Sequence, residues 1–198
     1  MQSPSEKSSV PWFLGVEVQP EKIQAVVDWP TPTNLRELRG YLGLCGYYRK
    51  FVAGFSNIAA PLYAMTKKGA AFLWTDECDQ AFRSLKRNLV TAPILSVPSD
   101  DGEYILDTDA SDAGLGAVLS QVQQGREKVI AYISRTLSKS ERNYDTTKRE
   151  LLAVVHGLKQ CRQYLLGRHF TIRTDHAALS WLRRTPEPMP KLARWLTF

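Results

Sequence analysis

The first half of the chain alternates proline-rich connectors with stretches whose apolar residues recur at helical spacing. Pro20, Pro30 and Pro32 interrupt the early chain, and WPTPTN is predicted to be an extended connector because proline disfavours helix at the residue before it. A helix is predicted directly after this connector, with Asn34 as its cap and Glu37 completing a capping box. The positions predicted to share one face of this helix are Leu35, Leu38, Leu42, Cys45, Arg49 and Val52.

A second helix is predicted over residues 76–90, with Thr75 or Asp76 as its cap. Its apolar residues fall on one face, which is typical of a helix that packs against a core. These residues are Cys78, Phe82, Leu85 and Leu89. The first half of the chain is therefore predicted to be a helical segment.

A sheet is predicted from about residue 103, where the hydrophobic period changes. The runs YILDTDAS, GLGAVLSQV and KVIAYISRT predict three sequential antiparallel strands. A long helix is predicted from about Asp145 to Leu166, with Gly167 ending it. HFTIRT then predicts a fourth strand, and HAALSWLRR a short helix capped by Asp175. The order β-β-β-α-β-α places the fourth strand parallel to one of the first three.

Charge and cysteine content narrow the class of protein. Lysine and arginine number 26 against 20 acidic residues, a net charge of +6, so a polyanion is an expected partner if the excess is clustered. Cys45, Cys78 and Cys161 lie far apart without zinc-binding spacing, which favours a reduced compartment and three small core residues. Residues 1–12 are predicted to be a disordered tail, and no signal peptide or membrane span is recognisable. We therefore expect an intracellular protein that is not secreted and has no membrane partner.

Three acidic residues stand where such a fold would bring them together. Asp109 lies on the first strand of the sheet, Glu150 in the first two turns of the long helix and Asp175 at the end of the fourth strand. If the first and fourth strands are neighbours, Asp109 and Asp175 lie close together, and a helix that packs across the sheet places Glu150 near both. Like charges this close raise each other's pKa unless a cation lies between them. The pattern therefore predicts a Mg²⁺ site, with Mn²⁺ as a substitute, for two-metal hydrolysis of a phosphodiester.

Each of the three acids also has an ordinary structural explanation. Asp175 fits a helix cap, and Asp109 fits a residue that serves a turn at a strand end. Glu150 fits a solvated helix residue paired with Lys148 or Arg149. Taken one at a time, none of the acids decides between structure and chemistry, and both interpretations stay open.

Three long segments carry a resemblance to a known family. They are ILDTDASDAGLGAVLSQ, YISRTLSKSERNYDTTKRELLAVVHGLKQCRQYLLGRHFTIRTDHAAL and, upstream, VVDWPTPTNLRELRGYLGLCGYYRKFV. From Phe13 to Phe198 the chain resembles the polyprotein of Ty3/gypsy-type LTR retrotransposons. The resemblance implies that residues 13–71 are a reverse transcriptase thumb/connection segment and residues 72–198 an RNase H-like domain. The implied fold is α/β: a helical segment followed by an RNase H-like mixed sheet with helices, whose final strand and helix are missing.

The resemblance also implies an activity, the endonucleolytic cleavage of the RNA strand of an RNA/DNA hybrid during reverse transcription. Asp109, Glu150 and Asp175 take the family's metal-binding catalytic positions. Hybrids are held by shape and by phosphate and 2′-OH contacts, so basic and polar groups near the acids are candidate binders, although each also fits an ordinary solvated face. These candidates are Ser111, Arg135, Lys139, Arg142, Lys148, Arg149 and His176. Further implied partners are the rest of the reverse transcriptase and integrase polyprotein, in a cytoplasmic retroelement particle or the nucleus.

The chain departs from the family's pattern in two respects. The polymerase signature, a tyrosine followed two residues later by paired aspartates, is absent, so the chain alone is not expected to polymerise. The family's fourth RNase H carboxylate is also absent from a sequence that ends at KLARWLTF. Three hypotheses follow: a hybrid-directed ribonuclease, a catalytically inactive retroelement remnant that acts as a nucleic-acid-binding or interaction domain, and an integrase-like strand-transfer enzyme. The thumb-like upstream region disfavours the third.

Overall fold

The structure of the protein is a computed structural model that describes residues 15–16 and 20–175. A helical segment comes first, and a mixed sheet with one long helix follows it. The helices are α1 (Pro20–Val27), α2 (Leu35–Tyr47), α3 (Phe55–Met65), α4 (Asp76–Val90) and α5 (Thr146–Leu165). The strands are β1 (Gly15–Val16), β2 (Leu95–Ser96), β3 (Tyr104–Ala110), β4 (Gly114–Gln123), β5 (Arg126–Thr136) and β6 (Phe170–Arg173). Two short 3₁₀ helices cover Arg49–Phe51 and Glu141–Asn143.

The predicted α/β class is confirmed. β3, β4, β5, α5 and β6 follow one another in the predicted order. The short helix predicted after β6 and the tail predicted over residues 1–12 lie outside the described residues. Within residues 15–16 and 20–175, no helix is long and apolar enough to cross a membrane.

Local capping signals begin three helices where the sequence predicts them. The Glu37 N–H donates a hydrogen bond to the Asn34 side-chain oxygen at 3.0 Å, and the Asn34 amide donates to the Glu37 carboxylate at 2.7 Å. Thr75 caps α4 and Asp145 caps α5 by accepting hydrogen bonds from backbone N–H groups. α5 ends as predicted, because Gly167 adopts a left-handed φ of 73° just beyond its C-cap.

Two helices and one helix end differ from the prediction. α1 and α3 were not predicted, and α3 lacks local signals because Gly54 provides no side-chain cap and Pro61 lies inside the helix. α2 ends at Tyr47, where the chain turns into a 3₁₀ helix. Arg49 and Val52 therefore do not continue the face of α2 that their spacing indicated.

Helices α1 to α4 share one apolar core. The rings of Tyr41 and Phe82 join α2 to α4 with their centroids 4.6 Å apart, and the Tyr41 hydroxyl donates to the Phe82 carbonyl at 3.1 Å. Cys45 and Cys78 are buried in this core and Cys161 is buried against the sheet, all three as free thiols. The prediction that the cysteines are small core residues is confirmed.

The main sheet has the strand order β5-β4-β3-β6. β3, β4 and β5 are antiparallel, whereas β6 lies parallel to β3 with Arg173 opposite Asp107. The prediction of a parallel fourth strand is therefore confirmed. The C-terminal ends of β3 and β6 consequently lie at the same end of the sheet.

The two faces of the sheet are covered by different parts of the chain. α5 lies so close to one face that a Cβ on Gly157 would stand 3.2 Å from the Ala117 Cβ and 3.3 Å from a methyl carbon of the fully buried Leu106. The helical segment packs on the other face at β5, where the Ser56 N–H donates to the Ser134 hydroxyl at 3.1 Å. The helical segment and the sheet are thus joined by direct contacts.

Replacing Gly157 with alanine is expected to lower the free energy of unfolding by about 1 kcal/mol, because the added methyl group overpacks the contact of α5 with the sheet by more than alanine's higher helix propensity offsets. The matched change Gly43→Ala on α2 is expected to raise it by about 0.5–1 kcal/mol, because alanine favours helix and no neighbouring group lies within 4 Å of the new methyl. Urea unfolding followed by circular dichroism measures both changes. Equal effects at the two positions would contradict the close packing at Gly157.

Candidate active site

The three predicted acids lie around one end of the sheet. Asp109 is the last residue but one of β3, Asp175 follows the end of β6 by two residues, and Glu150 lies in the first two turns of α5. The ends of β3 and β6 are neighbours, and Glu150 reaches the backbone of β3 at Ala110. The strand pairing on which the sequence argument depended is therefore present.

Glu150 is a buried carboxylate, 5% exposed, with one oxygen left without a partner. Its Oε1 accepts a hydrogen bond from the Ala110 N–H at 3.3 Å, whereas its buried Oε2 has no hydrogen-bond partner in the described part of the chain. Burial raises the pKa of Glu150, and the charges of Asp109 and Asp175 raise it further, against the opposing effects of the Ala110 N–H and Arg149. The three carboxylates are thus close enough for Glu150 to be repelled by the other two.

Asp109 lies in a groove on the sheet face opposite α5. The groove has a volume of about 400 Å³ and is lined by β3 and β4 together with residues of the helical segment that include Asn57. Asp107 and Asp109 share this face because alternate residues of a strand point the same way, while Leu106 packs towards α5. Asp107 is neutralised by Arg173, whose Nε lies 2.7 Å from the Asp107 carboxylate. The Asp109 carboxylate forms no hydrogen bond or ion pair with any described residue.

The carboxylates of this site have the charge that attracts a divalent cation, but the described residues do not form a complete set of metal ligands. An unpartnered buried carboxylate oxygen and mutual repulsion among acids are the conditions that a cation relieves. Within residues 15–16 and 20–175, however, no group of three or more His, Cys, Asp or Glu side chains is gathered closely enough to hold a metal ion. The assignment of Asp109, Glu150 and Asp175 as metal ligands therefore stays a prediction.

Four of the predicted nucleic-acid-binding residues have partners within the protein, and three of these lie in the segments next to Glu150. The Ser111 hydroxyl accepts a hydrogen bond from a backbone N–H across the β3–β4 turn at 3.1 Å. Arg149 forms an ion pair with Asp112, and Lys148 forms one with Asp145 at 2.8 Å. These contacts fix the turn after β3 and the start of α5, the two backbone segments that flank Glu150.

Three further predicted binding residues, all described by the structure, lie at or just after the end of β5. Arg135 makes two hydrogen bonds to Glu141, at 2.8 and 2.9 Å, and these bonds are the main reason why the pKa of Glu141 falls to about 2. Lys139 and Arg142 are exposed. His176 lies outside the described residues. Their roles in binding stay predictions.

Arg173 is a residue of the site that the sequence pattern did not single out. Its guanidinium group bridges Asp107 of β3 and Glu127 of β5. Directly paired residues of neighbouring strands share a face, so the pairing of β6 with β3 is the signal that would have indicated it. By neutralising Asp107, Arg173 leaves Asp109 as the groove carboxylate without a cationic partner in the described part of the chain.

The fold matches part of solved reverse transcriptase structures. A structure of the foamy viral protease-reverse transcriptase dRH in complex with double-stranded DNA matches 92% of this chain and 33% of its own length, with a TM-score of 0.78 and 23% identity. A structure of the foamy viral protease-reverse transcriptase in complex with an RNA/DNA hybrid matches 90% of this chain and 25% of its own length, with a TM-score of 0.72 and 22% identity. At these identities the likeness establishes the fold alone.

The family follows from the sequence match. The family model of the RNase H-like domain found in reverse transcriptase matches residues 74–172, half of the 198-residue chain. The chain belongs to this family. It is also 43% identical over 183 residues to the retrovirus-related Pol polyprotein from transposon 297 of Drosophila melanogaster, a match that covers 91% of this chain and 17% of the relative. The predicted resemblance to retrotransposon reverse transcriptases is confirmed, and the chain spans less than a fifth of that relative's length.

Proposed function

We propose that the RNase H-like domain of this chain hydrolyses the RNA strand of RNA/DNA hybrids, with Asp109, Glu150 and Asp175 as its catalytic carboxylates. The observation that carries the proposal is the buried Glu150 side chain, whose Oε2 is unpartnered and whose pKa is raised by burial and by the two other acids. Buried carboxylate oxygens without a partner are rare, and perturbed carboxyl groups cluster at functional sites. This combination favours a hydrolytic role for the acids over a purely structural one.

A divalent cation, Mg²⁺ or Mn²⁺ in its place, is the proposed cofactor, and Asp109, Glu150 and Asp175 would hold it. When bound, it would supply the positive charge that stabilises the attacking and leaving oxygens of a phosphodiester. The protein's own residues prepare this site. The Ala110 N–H donates a hydrogen bond to the Glu150 carboxylate, and Arg173 neutralises Asp107, so that Asp109 is the groove carboxylate without a cationic partner among the described residues.

An RNA/DNA hybrid is the proposed substrate. The support is twofold: a structural neighbour was solved in complex with such a hybrid, and the relative from transposon 297 is a retrovirus-related Pol polyprotein. The proposed hybrid contacts are Ser111, Arg135, Lys139, Arg142, Lys148, Arg149 and His176. Residues 13–71 would serve as the thumb/connection segment, and the chain would act within a Pol polyprotein in a cytoplasmic retroelement particle or in the nucleus.

The purified chain is expected to cut the RNA strand of a hybrid in Mg²⁺ or Mn²⁺ and to stop when EDTA removes the ion. An RNA strand labelled at one end, separated on a denaturing gel, measures the cleavage. The same hybrid labelled on its DNA strand is the control and is expected to stay intact. Cleavage that persists in EDTA, or that cuts both strands equally, would contradict the proposal.

A binding role without catalysis is the second candidate function. It is favoured by the finding that, in the described ranges, no three acids lie close enough together to hold a metal ion. A chain of this kind would retain a labelled hybrid in either metal and leave its RNA strand intact. Product formation on the gel therefore separates the two candidates.

A further inference from the structure

A second concave surface, here called the basic cleft, lies between α3 and the end of β5 and has a volume of about 370 Å³. Its cationic side chains are Arg49 and Lys67 from the helical segment and Arg135 and Arg142 from the sheet domain. Among the described residues, no aspartate or glutamate lines the cleft. Glu141 is not a lining residue, but it forms an ion pair with Arg135, which is one. The surface of the cleft is therefore strongly positive.

The four cations divide into a fixed pair and an exposed pair. Arg49 is held by a hydrogen bond to the Ser134 carbonyl, and Arg135 is held by its ion pair with Glu141 in the 3₁₀ helix Glu141–Asn143. Lys67 and Arg142 are exposed, and neither side chain forms a hydrogen bond or ion pair within residues 20–175. The fixed pair sets the electrostatic potential, while the exposed pair is available to a ligand.

The positive charge of the cleft also affects the pKa of His156. Burial lowers its pKa to about 4, and the charges of Arg135 and Arg49 act in the same direction, with Glu141 opposing them. The imidazole is therefore uncharged at neutral pH. The positive character of the cleft depends on its arginine and lysine residues and does not change with pH near neutrality.

The basic cleft lies at the same end of the sheet as the candidate active site. Arg135 is paired in register with Leu115, and Leu115 with Ala110, the residue after Asp109. Neighbouring strands are about 4.8 Å apart, so the Arg135 backbone stands roughly 10 Å from Ala110 across β4. A nucleic-acid strand carries a phosphate about every 3.4 Å of helix axis, so a few phosphates span this interval.

We propose that the basic cleft binds backbone phosphates of the nucleic acid whose RNA strand lies at the acids, with Lys67 and Arg142 making the contacts. The identity of this ligand rests on the proposed function, whereas the charge and position of the cleft do not. A regular array of phosphates fits better than an acidic protein segment, because the cleft lies at the same end of the sheet as the proposed site for phosphodiester chemistry. The contact between α3 and β5 then has a functional consequence: it holds cations from both halves of the chain at a fixed separation.

The double variant Lys67→Gln/Arg142→Gln is expected to bind an RNA/DNA hybrid roughly tenfold more weakly or worse at about 0.1 M salt. The slope of log Kd against log salt is expected to fall by about 2, because each lost phosphate contact removes close to one unit. Fluorescence anisotropy of a labelled hybrid, titrated with the full chain in EDTA between about 50 and 200 mM KCl, measures both quantities. EDTA separates binding from cleavage.

The matched control is Arg87→Gln/Arg162→Gln, which removes two exposed charges from α4 and from the C-terminal half of α5, outside the basic cleft. Its affinity and salt slope are expected to stay close to those of the unaltered chain.

Two results would overturn the inference. One is a cleft variant with the same salt slope as the control, and the other is a cleft variant that loses binding of a poly-glutamate peptide but not of the hybrid. Cleft-dependent binding without RNA cleavage would sustain the inference while the proposed function fails. RNA cleavage by the unaltered chain, with an unchanged salt slope in the cleft variant, would support the proposed function and overturn the inference about the cleft.

Discussion

Asp109→Asn is expected to slow cleavage of the RNA strand at least about 100-fold, which corresponds to about 2.7 kcal/mol of lost transition-state stabilisation. The substitution keeps the shape of the side chain and removes the one groove carboxylate that has no cationic partner in the described part of the chain. Because Asp109 is exposed, the change is expected to leave the melting temperature nearly unaltered. Single-turnover cleavage of a labelled hybrid in Mg²⁺ measures the rate.

The matched control for this prediction is Asp107→Asn. Asp107 lies two residues earlier on the same strand and the same face, but its carboxylate is already neutralised by Arg173. Its replacement is expected to change the cleavage rate by less than about tenfold, since it removes no charge that the proposed metal would use. Equal losses at the two positions would mean that any change in the charge of the groove impairs cleavage. That outcome would remove the catalytic role from Asp109.

The elements that local chemistry encodes could be predicted from the sequence. Asn34, Thr75 and Asp145 cap helices through hydrogen bonds that span only three residues, and such signals are readable without tertiary structure. α3 was missed for the same physical reason. It has no side-chain cap and contains Pro61, so its stability comes from packing against α4 and β5 rather than from its own residues.

The candidate site could be predicted in outline because topology places its parts. Once the fourth strand is parallel to the first, Asp109 and Asp175 are brought to one end of the sheet, whatever the loops between them do. Contacts that depend on side chains from distant segments could not be predicted. One example is the ion pair of Arg173 with Asp107, and another is the position of Lys67 and Arg142 around one cleft. Both depend on the packed structure, because no local spacing relates these residues.

The basic cleft and the groove beside Asp109 have a wall in common. Ser56 of α3 lines the cleft and its neighbour Asn57 lines the groove, so the start of α3 separates the two. The hydrogen bond from the Ser56 N–H to the Ser134 hydroxyl fixes this part of α3 on β5. The helical segment therefore helps to shape both surfaces, which links its packing on the sheet to the proposed function.

Glu150→Gln is expected to stabilise the chain at neutral pH in EDTA by about 1 kcal/mol, or about 2–4 °C in melting temperature. Glutamine keeps an oxygen that accepts from the Ala110 N–H, and it removes a buried charge that Asp109 and Asp175 repel. Mg²⁺ is expected to raise the melting temperature of the unaltered chain more than that of the variant, because the proposed ion would bind the folded state through Glu150. Glu21→Gln, an exposed change in the first turn of α1, is the control and is expected to lower the stability slightly, because it removes an acid from the helix N-terminus.

The same variant is expected to reveal the raised pKa of Glu150 through its pH dependence. Below the ordinary carboxyl pKa of 4.5, Glu150 is protonated in both the folded and unfolded states, so the two chains should differ little in stability. As the pH rises towards and through the raised pKa of the folded state, the unfolded state loses its proton first, and the unaltered chain becomes progressively less stable than the variant. Thermal melts from about pH 4 to 8 in EDTA measure the difference. A variant that is less stable than the unaltered chain, or a difference independent of pH, would show that the Glu150 charge is compensated in the folded protein and would remove the main support for a cation site.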